Sequence, residues 1–342
     1  MKSRKLLAIG IAAALTIGFT ACSSSASTSS SSSTSSAAPI KVAVVLGGLS
    51  NDGGFNQIAA DAANALKGQG DIDVSIKESV TTDSDAEAAF RQYASQGYDL
   101  VVGWGLDFSD SIFKVAQELP NTHFVATGSA GILQKSTANV ETWSYASDQQ
   151  GYLTGWVAGK TGLSPVGVVD GELAPFNEVS YKALTLGLKD ANPSATELQP
   201  IFTGNWEDAN LANQATKAQV ASGAKLIITA AEGYTPGVLS AAKDAGIATI
   251  GASSTSSSDA SDVNVGLVTI DWTPTLTDIV NDVKTSAFGS KSYNSTIANK
   301  GLVFTDFNQV GAAPQLTADI ENQINDLAAK LASGAVTIPA VQ

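Results

Sequence analysis

Ser95-Gln96-Gly97-Tyr98-Asp99-Leu100-Val101-Val102 and, 126 residues further on, Ala221-Ser222-Gly223-Ala224-Lys225-Leu226-Ile227-Ile228 carry one pattern twice. In each, a helix ends on a glycine, the chain turns, and a short apolar run rich in β-branched residues follows. Glycine is the common stop just past a helix, and such a run reads as a buried strand.

The surroundings of the two copies agree. Around the first, residues 41–46 read as a strand and 55–67 as a helix with Ile58, Ala62 and Leu66 on one face. A strand at 73–76 precedes a helix that opens on Ser84 with Glu87, a capping-box spacing. A strand at 99–103, a helix stopped by Pro120 and a strand at 123–127 follow. Around the second copy, strands at 166–169, 196–202, 225–229 and 247–250 alternate with helices at 178–190, 209–221 and 236–245. Alternation of this kind predicts βαβ units and parallel sheets. Two copies of one α/β unit predict two similar lobes with a ligand cleft between them. The remainder (strands at 263–270 and 302–305, helices at 275–287 and 317–333) is expected to cross between the lobes and form a hinge. The expected division is residues 39–145 plus about 258–290 for the first lobe, and 146–257 plus about 298–342 for the second.

Ahead of this body, Lys2, Arg4 and Lys5 precede an apolar run at 6–21 and Phe19-Thr20-Ala21-Cys22. The run is shorter than the roughly 20 residues a spanning helix needs and reads as an export signal, residues 1–21. Small residues before a cysteine resemble the bacterial lipobox, with Phe19 in place of the usual Leu. Cys22 is the only cysteine, so no internal disulfide competes for it, and lipidation there would explain its position. Residues 23–38 are almost wholly Ser, Thr and Ala, a flexible tether with a reach of about 20–25 Å. A tether of this kind suits a Gram-positive lipoprotein held on the extracytoplasmic face of the cell membrane.

The formal charge of the chain is −13; without the three leader cations, 16 basic side chains face 32 acidic ones. That balance argues against nucleic acid as a partner. The lone histidine, His123, leaves no His-rich metal site and no Cys–His dyad, and no Gly-x-Ser-x-Gly elbow accompanies it. No cofactor motif is present, since the glycine-rich stretch 47–54 fits neither G-x-G-x-x-G nor a Walker loop. An enzyme is therefore not expected.

In open α/β sheets, ligands bind beyond the carboxyl ends of the strands. That rule selects Asn51, Asp52, Phe55 and Asn56 after the first strand, and Trp104 with Asp107 after the third. In the second lobe it selects Trp206, Glu232, Ser253 and Asp271. Phe55, Trp104, Trp206 and Trp272 place rings in both lobes, which could sandwich a flat ligand face.

The chain resembles the basic membrane protein family, which includes purine nucleoside receptor lipoproteins serving ABC importers. The resemblance rests on Gly54-Phe55-Asn56-Gln57, on residues 97–105, on Phe113-Lys114-Val115-Ala116 before Pro120, on Gly151-Tyr152-Leu153-Thr154-Gly155, on Gly204-Asn205-Trp206-Glu207-Asp208 and on Gly223-Ala224. It implies a type I periplasmic-binding-protein fold, a small-molecule ligand, and permease and ATPase subunits as partners. It also implies that Phe55 and Trp206 stack on a base. The family's polar contacts do not carry over. Its Asp-Asn pair is Leu46-Gly47 here, two further Asp positions are Gly128 and Ser253, and its Lys is Asp271. Nucleoside or nucleoside-like solutes are thus expected from the resemblance. A cationic or sugar-like ligand, suggested by Asp52, Asp107, Glu232 and Asp271 beside several Trp, is the alternative. A sensor that reports occupancy to a membrane signalling partner is another.

Overall fold

The computed structural model describes residues 39–251 and 262–340; the leader, Cys22, the tether and Ser253 lie outside them. In the first lobe, β1 (Ile40–Leu46), β2 (Ile72–Lys77), β3 (Leu100–Trp104), β4 (His123–Thr127) and β5 (Val140–Tyr145) alternate with α1 (Phe55–Gln69), α2 (Asp83–Ser95) and α3 (Ser109–Glu118). After α4 (Ser147–Lys160) come β6 (Val166–Asp170), α5 (Pro175–Ala191), β7 (Ile201–Phe202), α6 (Ala209–Ala221), β8 (Leu226–Ile228), α7 (Thr235–Ala245) and β9 (Ala248–Ile250). The chain finishes with β10 (Leu267–Ile270), α8 (Thr273–Lys284), β11 (Ser292–Ser295), β12 (Leu302–Thr305) and α9 (Ala318–Ser333).

The first sheet is parallel, in the order β11-β5-β4-β3-β1-β2. The second is parallel in the order β7-β6-β8-β9. The second order repeats β2-β1-β3-β4 of the first, and the doubled sequence pattern falls on the equivalent strands β3 and β8. The chain is a two-lobed α/β protein. β10 and β12 pair antiparallel as a separate ribbon.

Both faces of the first sheet are covered at its centre, so the central strands β1, β3 and β4 are largely apolar on both sides. Val42, Val44, Leu46, Leu100, Val102 and Trp104 share one core with Ala59, Ala63 and Leu66 of α1. Ala43, Val45, Val101, Phe124 and Ala126 face the other way, onto Phe90 of α2 and Ile112 and Val115 of α3. A parallel sheet buried on both sides requires this continuous pattern.

Several elements differ from the sequence reading. α2 is capped by Thr82, whose hydroxyl accepts the Asp85 N–H at 3.2 Å, two residues before Ser84. Consecutive Thr, Asp and Ser residues offer several registers, and the one that aims an oxygen at a free N–H prevails. The strand expected at 196–202 shrinks to Ile201–Phe202 plus an isolated bridge at Glu197, because Pro200 has no N–H to donate at this sheet edge. In 263–270 only Leu267–Ile270 joins the ribbon. Asn264 instead bridges Thr249, so this part of the segment expected in the first lobe extends the second sheet. β11 lies in the gap left unassigned between the lobes and pairs with β5.

α4 carries no apolar stripe to announce it. It is buried over most of its surface, and its glycines are what its packing uses. A Cβ at Gly151 would overlap the Ser180 carbonyl of α5, and one at Gly155 the Leu184 carbonyl. From the other side, a Cβ at Gly187 would overlap the Tyr152 carbonyl. The two backbones meet where a side chain would hold them apart. Among the described residues, no helix is long and apolar enough to cross a membrane.

Candidate functional site

Beyond the carboxyl ends of the strands of both sheets lies a cavity of about 910 Å³. It is of a size to hold a drug-sized or smaller solute. Phe55 walls it on the first-lobe side, Trp206 and Phe176 on the second-lobe side, and Tyr145 at the end of β5 lies between them. Tyr145 meets Phe176 edge-on at 6.3 Å, so the rings form a chain from one lobe to the other.

The first wall is built by the loop after β1. Asp52 accepts the N–H groups of Gly54 at 2.8 Å, of Asn56 at 3.1 Å and of Gln57 at 3.1 Å, closing the start of α1. It also accepts the Asn56 amide at 2.8 Å, and Asn56 in turn accepts the Gly48 N–H at 3.1 Å. This network fixes Phe55, the first residue of α1. The Phe55 ring stacks on Trp104 at 4.8 Å, and Trp104 on Trp143 at 4.7 Å. The Trp104 indole donates to the Phe55 carbonyl at 2.8 Å.

The second wall follows β7. Asn205 accepts the N–H groups of Glu207 and Asp208, each at 2.8 Å, and Asp208 caps α6 by accepting from Asn210 and Leu211. Trp206 is thereby held on the loop with its ring lying over Gly171, where a side chain would collide with it. It stacks offset on Phe176 at 6.0 Å. Asp170, ending β6, accepts from the Gly171 N–H, from the Tyr234 hydroxyl at 3.0 Å and from Asn177.

The lobes meet at the cavity edge. The Phe55 N–H donates to the Ala231 carbonyl at 3.1 Å, and a Cβ at Gly54 would overlap that same carbonyl. Only glycine allows this approach. Glu207 reaches from the second lobe to Gly48 of the first, where a Cβ would collide with its carboxylate.

The electrostatics are one-sided. Among the described residues the cavity is lined by eight carboxylates (Asp61, Asp83, Asp107, Asp170, Glu172, Glu207, Glu232, Asp271) and by no Lys, Arg or His. Burial raises the Glu232 carboxyl well above its usual range, and the charges of Asp52, Glu207 and Asp170 push it further. Burial and then Asp52 raise Glu207; burial raises Asp170. Glu232 keeps accessible surface where it borders the cavity. No group of His, Cys, Asp and Glu suited to a metal ion occurs among the described residues.

The structure brings Phe55, Asn56, Trp104, Asp107, Trp206, Glu232 and Asp271 to the cavity. It corrects the part played by several. Trp104 has no accessible surface and backs Phe55 from behind. Asn51 is exposed away from the cavity, and Asp52 turns both oxygens onto the α1 N-terminus, so neither lines it. Asp107 and Asp271 are exposed at the rim, where Asp271 accepts the Thr273 N–H at the start of α8. Ser253 lies outside the described residues. Sequence reasoning missed Phe176, Tyr145 and Asp170. The strand-end rule applied to β6 would have selected Asp170; nothing local marks the other two.

The model of the Bmp family, described as ABC transporter substrate-binding protein PnrA-like, matches residues 40–342. A solute-binding protein of an ABC transporter system from Conexibacter woesei is 35% identical, with a TM-score of 0.76, covering 88% of this chain and 98% of its own. A putative ABC transporter glucose-binding protein of Haloferax volcanii is 31% identical over 49% of this chain and 41% of its own length. Basic membrane protein A of Borreliella afzelii is 25% identical over 87% of this chain and 91% of its own. The chain spans 41–60% of the length of several curated relatives it matches.

Proposed function

The chain belongs to the PnrA-like family of ABC transporter substrate-binding proteins, and on that premise we propose that it is the extracytoplasmic receptor of an ABC importer. It captures a small ring-bearing solute between its lobes and presents it to permease and ATPase subunits. The observation that carries this reading is the cavity of about 910 Å³ walled by rings from both lobes and latched by the Phe55–Ala231 hydrogen bond. Closure over a ligand is the domain motion such a hinge supports. No nucleophile–base pair was found in the sequence, which favours binding over catalysis.

The receptor is held at the membrane through lipid on Cys22, ahead of the Ser-rich tether. More than one acyl chain is needed for a firm hold. A nucleobase is the ring that the family resemblance suggests. The lining of carboxylates, with no Lys, Arg or His among the described residues, favours a different solute class.

A thermal-shift and calorimetric screen of nucleosides, nucleobases, sugars, amines and amino acids tests the receptor reading. A ligand at 100 times its Kd stabilises by about 2.7 kcal/mol, a shift of several degrees at this size. A flat response to every class would remove the reading. Cys22→Ser is expected to move the protein from the membrane fraction to the medium, or to leave its leader uncleaved. Unchanged fractionation on a blot would refute lipid attachment.

A further inference from the structure

Building on the receptor reading, we propose that the cavity selects a small organic cation. Its charged group sits against Glu232 and Glu207, and an acceptor atom of the same molecule meets the indole N–H of Trp272.

Glu232 carries the first half of the argument. Among the described residues, no side chain or backbone N–H donates to its carboxylate, while Asp52, Glu207 and Asp170 are close enough for their charges to act on it. A carboxylate at the cavity wall with no donor and with like charges beside it gains from a positive partner. Asp170 differs, because three neutral donors serve it. Glu232 therefore presents an unmet demand for positive charge, facing the cavity.

The seam between the lobes sharpens that demand. Asp52 belongs to the first lobe, Glu207 and Glu232 to the second, and the Phe55–Ala231 bond closes beside them. Closure thus gathers like charges. A ligand can favour closure only by interacting better with the closed state than with the open one. A cation does so at this seam; a neutral solute leaves the repulsion in place and an anion adds to it. Phe55, Trp206 and Tyr145 add ring faces, which attract cations further.

Trp272 is a separate observation. Its side chain is 1% exposed and lines the cavity, and its Nε1 has no acceptor. A buried N–H without a partner costs about 1–3 kcal/mol. A hydroxyl, ether or carbonyl oxygen on the ligand would meet it. The ring walls, and the lack among the described residues of a metal-type ligand group, point to an organic cation instead of a metal ion.

The test titrates the purified chain with choline, putrescine, spermidine and thiamine. The neutral arm is 3,3-dimethylbutan-1-ol (the uncharged shape-match of choline), adenosine, inosine and glucose; the anionic arm is glutamate and succinate. At least one cation is expected to bind, with the neutral isostere at least tenfold weaker. Glu232→Gln should weaken the cation at least tenfold, and Trp272→Phe, which keeps the ring and removes the N–H, about threefold or more. Glu207→Gln serves in place of Glu232→Gln if that variant does not fold. Binding of a nucleoside or sugar with affinity unchanged in Glu232→Gln would overturn the cation proposal and leave the receptor reading standing. A cation bound equally well by Glu232→Gln would overturn it too. No binding in any arm would count against both.

Discussion

On the first-lobe side of the cleft, Trp104 and Trp143 have no accessible surface and pack ring against ring behind Phe55, and Trp272, 1% exposed, packs on Trp104 where it borders the cavity. On the second-lobe side, Trp206 and Phe176 keep accessible surface and stand among Asp170, Glu207 and Glu232. One wall is an aromatic core with a single ring showing; the other is a set of loops that brings rings and charges into the cavity. The contrast separates two uses of tryptophan. In the first wall the ring area is buried within the protein and contributes to stability; in the second, part of it stays accessible in the cavity.

The comparison breaks most directly at Trp104. Trp104→Ala removes a fully buried ring and its bond to the Phe55 carbonyl, so a loss of about 3–5 kcal/mol is expected. Denaturant melts should show it as a stability loss, with ligand binding weakened through a displaced Phe55. A stability change below about 1 kcal/mol would mean that the first wall is not a structural core.

Trp206→Ala should show the reverse balance. Loss of a ligand-facing ring is expected to cost about 1–3 kcal/mol of binding, roughly five- to 150-fold in Kd, with a smaller change in unliganded stability than at Trp104. Unchanged affinity in calorimetry would remove Trp206 from the ligand platform.

The smallest effect tests charge burial away from both walls. Glu141 on β5 is fully buried, accepts the Gly289 N–H at 3.0 Å through one oxygen, and leaves Oε2 without a donor. Burial pushes its carboxyl up to about 7; the Gly289 N–H opposes this, Asp282 adds to it and Lys291 offsets part. The folded state thus holds the proton more tightly than the unfolded chain. Its contribution to stability is fully present below about pH 4.5 and is lost as pH rises through about 7. Glu141→Gln should remove that slope and raise Tm above pH 8 by a few degrees, a gain of the order of 2 kcal/mol. Parallel Tm–pH curves for the two proteins would show that Glu141 does not titrate in this window.

Much of the fold was legible because local burial writes itself into the sequence. β1, β3 and β4 are short apolar runs, and α6 and α9 end close to where their helix-stop signals lie. The elements that were not legible share a cause. β5 reads Val140-Glu141-Thr142-Trp143-Ser144-Tyr145, a mixed stretch that is nonetheless wholly buried, and α4 has glycines in place of a stripe. In both, burial is imposed by neighbours distant in the chain, and no local period records it. The site divides in the same way. The strand-end rule reached Phe55, Asn56, Trp206 and Glu232, yet Trp104 and Trp206 look alike in sequence. Their positions in the fold separate them: one ends a central strand and points into the α1 side of the sheet, the other sits on a loop beyond an edge strand.

By itself the sequence determined that the chain holds two copies of an α/β unit, that its body is acidic, and where a ligand site should open. Those properties follow from composition and from periods of burial along the chain, which are local. Which strand-end rings face the cavity, that among the described residues no base joins the carboxylates there, and that among them nothing donates to the Glu232 carboxylate or accepts from the Trp272 indole were decided by the tertiary structure alone. Each depends on how two lobes and their crossing segments bring distant residues together, and on which polar atoms that approach cuts off from water.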